Sequence, residues 1–411
     1  MISVFTPSHD PKHLDDCYRS LVEQTYENWQ WLVLLNNGAV WERPKDKRVR
    51  IMYNHDSDRG VGWYKWQAAL NCHGDIVVEL DHDDMLMPEA LGEIEYLFDM
   101  NPRIGFVYSD TAQIQENGQP DLSEFDPAHG WTYYNEEGFK ITSSFPPYPH
   151  NLSYIWYAPN HLRAWRKSVY DKIGGYDRTL EVLDDQDLMA RFYQNTHFYH
   201  IEQCLYLQRI HGKNTQTVRN AEIQTKTVEM YHRDIEANAL AWAKREGLFA
   251  IDLGAHHNKP EGYLGVDLRP GKGVDIVTNF FDLDFQPNSV GVIRAYDFME
   301  HVGNENRQRF MEKCYELLAH GGMLLSMTPS TDGRGAFQDP THTAQWNSNS
   351  FWYYTQKEYA DFVDFKGRFQ VSMLRNFLPS HFHVLHDIPY VQANLIAVKE
   401  DSRDFGGHLL I

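Results

Sequence analysis

Short apolar runs alternate with amphipathic stretches along the first part of the chain. Runs rich in β-branched and aromatic residues, typical of buried strands, occur at 2–5, 29–35, 48–53 and 76–80. The first is predicted to break at Pro7, and helical spacing follows at 13–24 and 60–70. Because strands and helices alternate, we expect a mainly parallel sheet with ligands at the carboxyl ends of its strands.

The same alternation restarts after a long helical pattern at 221–246. Further strands are predicted at 248–253, 263–266, 290–295 and 323–327, with a helix at 308–319 and a closing antiparallel pair at 371–377 and 390–399. Residues 101–165 are less regular and predict long loops over the first sheet. We therefore expect an α/β protein with two Rossmann-like units, residues 1–220 and 248–411, joined by a helical linker at 221–247.

Composition agrees with a soluble protein of two or three domains, since the 411 residues are 42% hydrophobic and 23% charged. The net charge is −19; residues 248–411 carry 14 Lys/Arg against 20 Asp/Glu, which leaves −13 for the first 247 residues. This balance disfavours nucleic acids and anionic membranes as partners. No apolar run reaches the ~18 residues of a membrane span, and four widely spaced cysteines indicate neither a disulfide framework nor a zinc site. We expect a cytoplasmic protein.

One acidic cluster dominates the candidate chemistry. The segment IVVELDHDDMLMP (76–88) is a strand followed by Asp81, Asp83 and Asp84, and residues 85–88 are predicted to open a helix. Asp81 and Asp83 leave the same face of an extended chain, so that together they can bind a hard divalent cation. The alternative is an acidic loop in which Asp84 caps the next helix.

Six segments, taken in order, resemble inverting GT-A-fold glycosyltransferases of family 2. They are ISVFTPSHD, SLVEQTYENWQWLVLLNNG, RGVGWYKWQAAL, GDIVVELDHDDMLMPEAL, GGYDRTLEVLDDQDLMARF and LQRIHGKNT, over roughly the first 215 residues. The resemblance implies a nucleotide-sugar donor, a Mn²⁺ or Mg²⁺ cofactor and a GT-A nucleotide-sugar domain.

On the donor side, the resemblance assigns the nucleotide pocket to Thr6, Pro7, His9, Asn36 and Asn37. The two asparagines replace the Asp-Asp that is usual in the family, and an amide can still read a pyrimidine edge, so a UDP-sugar is the expected donor.

Three further positions would serve the metal and the diphosphate. Asp81 and Asp83 would bind the metal and the sugar nucleotide, and His211 would complete the metal sphere, unless it is simply a surface histidine. Lys65 would face the diphosphate, unless it is a solvated helix charge.

On the acceptor side, the resemblance makes Asp185 the general base, with Asp184 standing where glutamate is usual. Inversion needs a carboxylate opposite the leaving diphosphate to take the proton of the acceptor hydroxyl. The alternative is an acidic helix N-terminus favoured by the macrodipole. Asp184 is expected at the acceptor. The other candidates for acceptor contacts are Tyr154, Trp156, Tyr157, Asn160 and His161, and for each of these five the alternative is a role in packing.

Residues 248–400 resemble class I S-adenosylmethionine-dependent methyltransferases. The resemblance is carried by IDLGAHHNKPEGYLGVDLRPGKGVDIV, MEHV, ELLAHGGMLLSMTPS and QDPTHTAQWNSNSFWYYT, and assigns the cofactor to Gly254, Asp267 and Asp282. The family's D-x-G-C-G loop reads DLGAH here, so that His256 brings a side chain to a place where glycine lets backbone approach the ligand. The sequence is compatible both with a working cofactor site and with an inactive one.

These observations favour a metal-dependent inverting glycosyltransferase that acts on a hydroxyl, with a glycan or glycolipid head group as acceptor. A hydroxylated DNA base is the alternative acceptor, as in viral DNA glucosylation, and the negative charge disfavours it. Two other classes are a methyltransferase with an accessory sugar-binding domain and a non-catalytic glycan-binding protein. Intact Asp81, Asp83 and Asp185 speak against the last.

Overall fold

A computed structural model describes residues 1–56, 59–157 and 161–407. Ten described strands form the first sheet: β1 (Ile2–Ser8), β2 (Trp29–Leu35), β3 (Val49–Tyr53), β4 (Ile76–Glu79), β5 (Met85–Leu86), β6 (Ile104–Gln115), β7 (Tyr133–Glu136), β8 (Phe139–Thr142), β9 (Arg163–Arg166) and β10 (His197–Ile210). Its main path runs β3-β2-β1-β4-β9-β6-β10-β5. The first four strands are parallel, as predicted, and β9 and β5 run antiparallel to their neighbours.

The helices of this part are α1 (Leu14–Val22), α2 (Val61–Leu70), α3 (Ala90–Met100), α4 (Pro149–Ser153), α5 (Lys167–Lys172), α6 (Asp184–Tyr193) and α7 (Thr215–Val218). Helices α1 and α2 and strands β1 to β4 occupy the predicted places. This part of the chain is thus an α/β fold with a mixed sheet, and the carboxyl ends of its parallel strands β1 to β4 lie at the same edge.

Three sequence predictions about this part were wrong. Strand β1 continues through Pro7 because β4 pairs with β1 only as far as Phe5, so the missing N–H falls where one neighbouring strand has ended. Residues 85–86 form strand β5 against β10, and α3 begins only at Ala90, so Asp84 is not its N-cap. Residues 101–165 hold four strands rather than mainly long loops, because β6 is buried against β9 and β10.

The second sheet has seven described strands: β11 (Phe249–Leu253), β12 (Leu264–Asp267), β13 (Ile276–Val277), β14 (Val290–Tyr296), β15 (Leu318–Pro329), β16 (Phe369–Phe377) and β17 (Tyr390–Ala397). Their order is β13-β12-β11-β14-β15-β17-β16, parallel up to β15 and closed by the predicted antiparallel pair. The helices are α9 (Arg307–Leu317), α10 (Gly335–Gln338), α11 (Trp352–Thr355), α12 (Lys357–Phe362) and α13 (His381–His386).

This sheet shares the 3-2-1-4-5 strand order of the Rossmann fold but lacks part of its helical layer. The β11–β12 and β12–β13 connections, residues 254–263 and 268–275, are fully described and contain no helix. Parallel crossovers usually carry one. The predicted cofactor loop therefore leads into an irregular segment instead of a helix.

Helix α8 (Asn220–Arg245), at the place of the predicted linker, is part of the core. One hydrophobic cluster includes Tyr231 and Trp242 of α8, Trp165 of the first sheet and Met323 of the second. The Tyr231 hydroxyl lies 2.8 Å from Ser372 Oγ and accepts a hydrogen bond from Asn394 Nδ2 at 3.1 Å. The helix thus packs the two sheets together.

Among the described residues, none of the helices combines the length and apolarity that a bilayer crossing requires. Cys17, Cys72, Cys204 and Cys314 are free, buried thiols.

Candidate active site

A cleft of about 1600 Å³ opens at the carboxyl ends of β1, β2 and β4. Among the site residues predicted from the sequence, those that line it are Pro7, His9, Asn36, Asn37, Lys65, Asp81, Asp83, Trp156, Tyr157, His161, Asp184, Asp185 and His211. The chain thus brings the donor-side and acceptor-side candidates to one cavity, although their individual roles stay predictions.

Arg209 and Tyr206 hold the acidic loop from behind. Asp84 is buried, and its two carboxylate oxygens accept hydrogen bonds from the Arg209 backbone N–H at 2.7 Å and the Tyr206 hydroxyl at 2.8 Å. The Arg209 guanidinium donates from Nε to the Asp83 carbonyl oxygen at 2.7 Å. Asp84 therefore anchors the loop to β10, while Asp81 and Asp83 remain on the cleft side.

Two neighbouring sets of side chains at this loop carry the oxygen and nitrogen atoms that can bind a divalent metal. Asp83 Oδ2 lies 2.9 Å from His211 Nε2. Asp81, Asp84 and His161 form a second group, whose ligand atoms lie within 4.8 Å of one another. Burial holds the pKa of His161 well below its usual range, so the imidazole is neutral and suited to a metal. These residues fit Mn²⁺ or Mg²⁺ through carboxylate oxygens.

Beneath the cleft lies a buried network of ionised side chains centred on Glu79. Its carboxylate meets Lys65 Nζ at 2.6 Å, Arg163 Nη1 at 3.4 Å and the Tyr176 hydroxyl at 2.5 Å. Burial would raise the pKa of Glu79, but Lys65 and Arg163 outweigh it and lower the pKa to about 2. The same Lys65 Nζ lies 3.1 Å from Asp184 Oδ2.

Lys65 is therefore not a solvated helix charge. Its side chain is only 9% exposed and lies between two carboxylates at the floor of the cleft. Burial acts to lower its pKa, yet Asp184 and Glu79 raise the pKa well above the usual value. The ammonium group is thus permanently charged at a position that lines the cavity.

Asp185 stands in the first turn of α6 with its carboxylate held from both sides. Oδ2 accepts a hydrogen bond from Arg163 Nη2 at 2.8 Å, and Oδ1 accepts one from the Gln186 backbone N–H at 2.8 Å. Leu183 lies two residues before Asp185 and has φ +60°. This left-handed conformation costs a non-glycine residue about 1–2 kcal/mol. Neighbouring Asp184 is buried, and burial followed by the charge of Asp185 raises its pKa to about 6 against the opposing effect of Lys65.

Most of the donor-side candidates line the wall of the cleft, whereas Thr6 lies beneath that wall and supports it. Asn36 is buried at the wall, and its Oδ1 has no hydrogen-bond partner among the described residues. Asn37 has φ +53° and its Oδ1 accepts a hydrogen bond from the Tyr64 hydroxyl at 3.3 Å. His9 packs its ring edge-on against His82. Thr6 lies beneath the wall, where its hydroxyl donates to the Leu80 carbonyl oxygen at 2.7 Å.

The acceptor-side candidates that the structure describes differ in what they contact. Trp156 lines the cleft and stacks on Tyr154, whose hydroxyl donates to the Ser372 carbonyl oxygen at 2.8 Å and thereby joins the two sheets. The Tyr157 hydroxyl lies 2.9 Å from His129 Nδ1. Asn160 lies outside the described residues.

In the second sheet, protein packs around the predicted cofactor loop. Gly254 has φ +77°, and a Cβ there would lie 3.2 Å from the Phe298 ring. A Cβ at Gly271 would come within 2.1 Å of the His256 carbonyl oxygen, so the two backbone segments touch. Asp267 Oδ1 accepts a hydrogen bond from the Arg269 backbone N–H, and Asp282 is exposed. Gly254 itself is exposed, and the feature of this loop that fits S-adenosylmethionine poorly is the packing of the His256 segment against Gly271.

Sequence reasoning assigned no role to Glu79, Arg163 and Tyr206, and it noted Arg209 only as part of the LQRIHGKNT segment. Glu79 was read as an ordinary strand position, although a glutamate inside an otherwise apolar strand was a signal of burial with a partner. Arg163 gave no signal, because its partners are distant in the chain. Only the sheet brings β9 beside β4.

Residues 3–174 match the family model described as Glycosyl transferase family 2. The O-antigen biosynthesis protein RfbC of Myxococcus xanthus is 25% identical over 239 residues, which are 55% of this chain and 17% of that protein. Chondroitin synthase of Escherichia coli is 21% identical over 236 residues, or 54% of this chain and 31% of the relative. The chain therefore spans less than a third of these two relatives. The O-antigen biosynthesis glycosyltransferase WbnJ of Escherichia coli is 26% identical over 228 residues, or 53% of this chain and 82% of that protein.

Crystal structures of S. aureus TarS 1–349 are also similar in part. One TarS structure has a TM-score of 0.40, and the complex with UDP-GlcNAc has a TM-score of 0.42. The sequence identity is 12% in both cases. The matches cover 60% of this chain and 70% and 71% of the two TarS chains.

Proposed function

We propose that the family 2 glycosyltransferase domain in the N-terminal region of this chain transfers a sugar from a nucleoside diphosphate to a hydroxyl group, with inversion at the anomeric carbon. The observation that carries this proposal is the meeting of the Asp81–Asp83 loop and Asp185 at one cleft. Arg163 donates to Asp185, and against the effect of burial the charge of Asp81, after those of Asp185 and Glu79, helps to raise the pKa of Arg163, so the two acidic elements are close neighbours.

The leaving diphosphate develops negative charge that must be neutralised. A divalent cation held by Asp81 and Asp83, with His211 or His161 beside them, would supply a Lewis acid for this purpose. Lys65 supplies a fixed positive charge at the floor of the cleft. We assign metal binding to the two aspartates because oxygen ligands suit both Mg²⁺ and Mn²⁺.

Asp185 is the proposed general base. Both carboxylate oxygens accept a hydrogen bond, and each retains a lone pair for the acceptor hydroxyl proton. Arg163 fixes the direction of the carboxylate and is a positioning residue, since its guanidinium contacts Asp185 and Glu79. Asp184 is the weaker candidate because its carboxylate is buried against Lys65.

The donor is proposed to be a UDP-sugar. Asn36 supports this choice, because its buried Oδ1, which no described residue donates to, could accept a hydrogen bond from the N3–H of a uracil ring. Trp156, which also lines the cleft, offers an apolar face for an acceptor sugar. A glycan or glycolipid head group is therefore the proposed acceptor, in a cytoplasmic enzyme. The net charge of −13 on the first 247 residues disfavours duplex DNA.

The second α/β unit, residues 248–411, is proposed to retain a methyltransferase-like sheet without tight S-adenosylmethionine binding. Its strand order and its closing antiparallel pair support the relationship. The packing of the His256 segment against Gly271 and the missing helix after β11 argue against a working cofactor loop.

A panel of UDP-, GDP- and dTDP-sugars tests the proposal directly. Each sugar nucleotide is incubated with the full chain and Mn²⁺, and both slow hydrolysis of the donor and thermal stabilisation are measured. We expect both signals with at least one UDP-sugar, and loss of the hydrolysis in Asp185→Asn because that variant lacks the base. Absence of binding by every nucleotide sugar would contradict the assignment.

A further inference from the structure

A second group of metal-ligating side chains lies outside the cleft, at the carboxyl ends of β14 and β15. Glu300 and His301 end a short helical turn after β14, and His342 comes from the loop after α10. One ligand atom of each of the three residues lies within 4.8 Å of the other two. In open α/β sheets this edge is where ligands bind.

The two imidazoles are oriented by backbone carbonyl groups. His301 Nδ1 lies 3.1 Å from the Thr341 carbonyl oxygen, and His342 Nδ1 lies 3.1 Å from the Gly335 carbonyl oxygen. A carbonyl oxygen can only accept a hydrogen bond, so each Nδ1 carries a proton and each Nε2 is the ring atom left for a metal. His342 Nε2 also lies 3.9 Å from Asp339 Oδ2. Metal-binding histidines are held in this way by their surroundings.

Glu300 is a buried carboxylate that pairs with no lysine or arginine of the described chain. It is 2% exposed, and the Thr328 hydroxyl donates to Oε2 at 2.8 Å. Within 1–56, 59–157 and 161–407, no lysine or arginine forms an ion pair with it. A buried carboxylate is costly unless a proton, a cation or a metal neutralises it.

The loop that carries His342 is fastened to Glu300. The Glu300 carbonyl oxygen accepts hydrogen bonds from the backbone N–H groups of Thr343 at 2.9 Å and Ala344 at 2.8 Å. Asp339 closes the turn before His342 by accepting from the Thr341 N–H and hydroxyl. The three side chains are thus brought together by fixed backbone, before any ligand binds.

We propose that Glu300, His301 and His342 bind one divalent transition-metal cation, of the Zn²⁺ type. Two imidazoles and one carboxylate favour Zn²⁺ over Mg²⁺, which prefers oxygen ligands alone. Three protein ligands leave a coordination position open. His301 is exposed, so this position faces solvent and accepts an oxygen ligand such as a sugar hydroxyl or a carboxylate. The site is independent of the glycosyltransferase reaction proposed above.

Zinc binding to the full chain tests this site. Titration calorimetry with Zn²⁺ is performed on an Asp83→Asn background, which weakens the competing metal site of the cleft. We expect His301→Ala and His342→Ala to lose one equivalent relative to this background, with a loss of affinity at that site of more than about tenfold, since even outer-shell changes cost that much. His381→Ala, an exposed histidine at the start of α13, is the matched control and should bind as the background does.

Glu300→Gln provides a variant that keeps the shape and the Thr328 contact. Folding of every variant is checked by its thermal transition without metal. Co²⁺ gives a second readout, because its visible absorption bands report coordination by imidazole directly. Equal Zn²⁺ affinity in the background, His301→Ala and His342→Ala would overturn the proposal, as would a Co²⁺ spectrum that His342→Ala leaves unchanged.

Discussion

Arg163 donates a hydrogen bond from Nη2 to Asp185 Oδ2 at 2.8 Å, and the same guanidinium reaches Glu79 Oε1 at 3.4 Å. One buried cation therefore connects the proposed base to the network beneath the cleft. The side chain of Arg163 is only 6% exposed, against 20% for Asp185, so the arginine is fixed and the aspartate faces the cavity. This relationship determines where the proposed base points.

Asp185→Asn should abolish most sugar transfer while donor and metal binding persist. The amide keeps the size of the side chain but cannot take a proton, and loss of a general base typically costs ~10²–10⁴-fold in rate. Turnover with a UDP-sugar and a hydroxyl acceptor measures the effect. Asp171→Asn, an exposed position of α5 that pairs with Lys167, is the control and should be fully active. Near-normal turnover in Asp185→Asn would assign the base to another residue.

Glu79→Gln should destabilise the protein by roughly 3 kcal/mol near pH 7, because it leaves Lys65 and Arg163 with uncompensated buried charge. Denaturant unfolding measures the free energy. Glu89→Gln, at an exposed position before α3, should change it little.

The free energies of unfolding of the wild type and Glu79→Gln should also differ in their dependence on pH, and the sign of that difference is defined. The pKa of Glu79 is lowered from 4.5 to about 2 on folding, mainly by Lys65 and Arg163 against the effect of burial. A lowered acid pKa stabilises the fold above pH 4.5, and this contribution is lost as the pH falls from about 4.5 towards 2. The difference in unfolding free energy between the wild type and Glu79→Gln should therefore shrink over this window. A difference independent of pH would contradict the ionised state of Glu79.

Removal of the metal should stop transfer. If Asp83 binds the cation together with His211, excess EDTA abolishes activity and added Mn²⁺ or Mg²⁺ restores it. Asp83→Ala should no longer bind the donor, as measured by calorimetry in the presence of Mn²⁺. Asp10→Ala, at a partly buried position that also lines the cleft, controls for the change in local charge. Full transfer in excess chelator would exclude a metal-dependent mechanism.

S-adenosylmethionine should bind the full chain weakly or not at all. A Cβ at Gly254 would lie 3.2 Å from the Phe298 ring, and the segment at His256 packs against Gly271, so we expect little room for the methionine end of the cofactor. Ala255→Cys combined with His256→Gly should tighten binding if the loop sequence is the cause, and Phe298→Ala should do so if the ring is. Calorimetry distinguishes these cases, and sub-micromolar affinity of the unmodified chain would show that the crowded loop accommodates the cofactor.

The sequence by itself determined the alternation of strands and helices, the parallel order at the start of the chain and the acidic clusters at strand and helix ends. These features are local: Ile76–Glu79 reads as a strand from its own residues, and Asp185 falls in the first turn of a helix whose pattern is visible in 184–193. Family resemblance then supplied roles for Asp81, Asp83 and Asp185 that the pattern alone left open.

Only the tertiary structure decided the partners of these residues. Lys65 on α2 meets Glu79 on β4 and Asp184 on α6, and Arg163 on β9 meets Asp185, because sheet pairing places distant segments side by side. Burial then changes their energetics, since a charge removed from water must find a partner there. The same holds for Glu300, His301 and His342, which the sequence places in two separate motifs. Long-range packing and the low dielectric of the interior are properties of the folded chain, so no local pattern of residues could have revealed them.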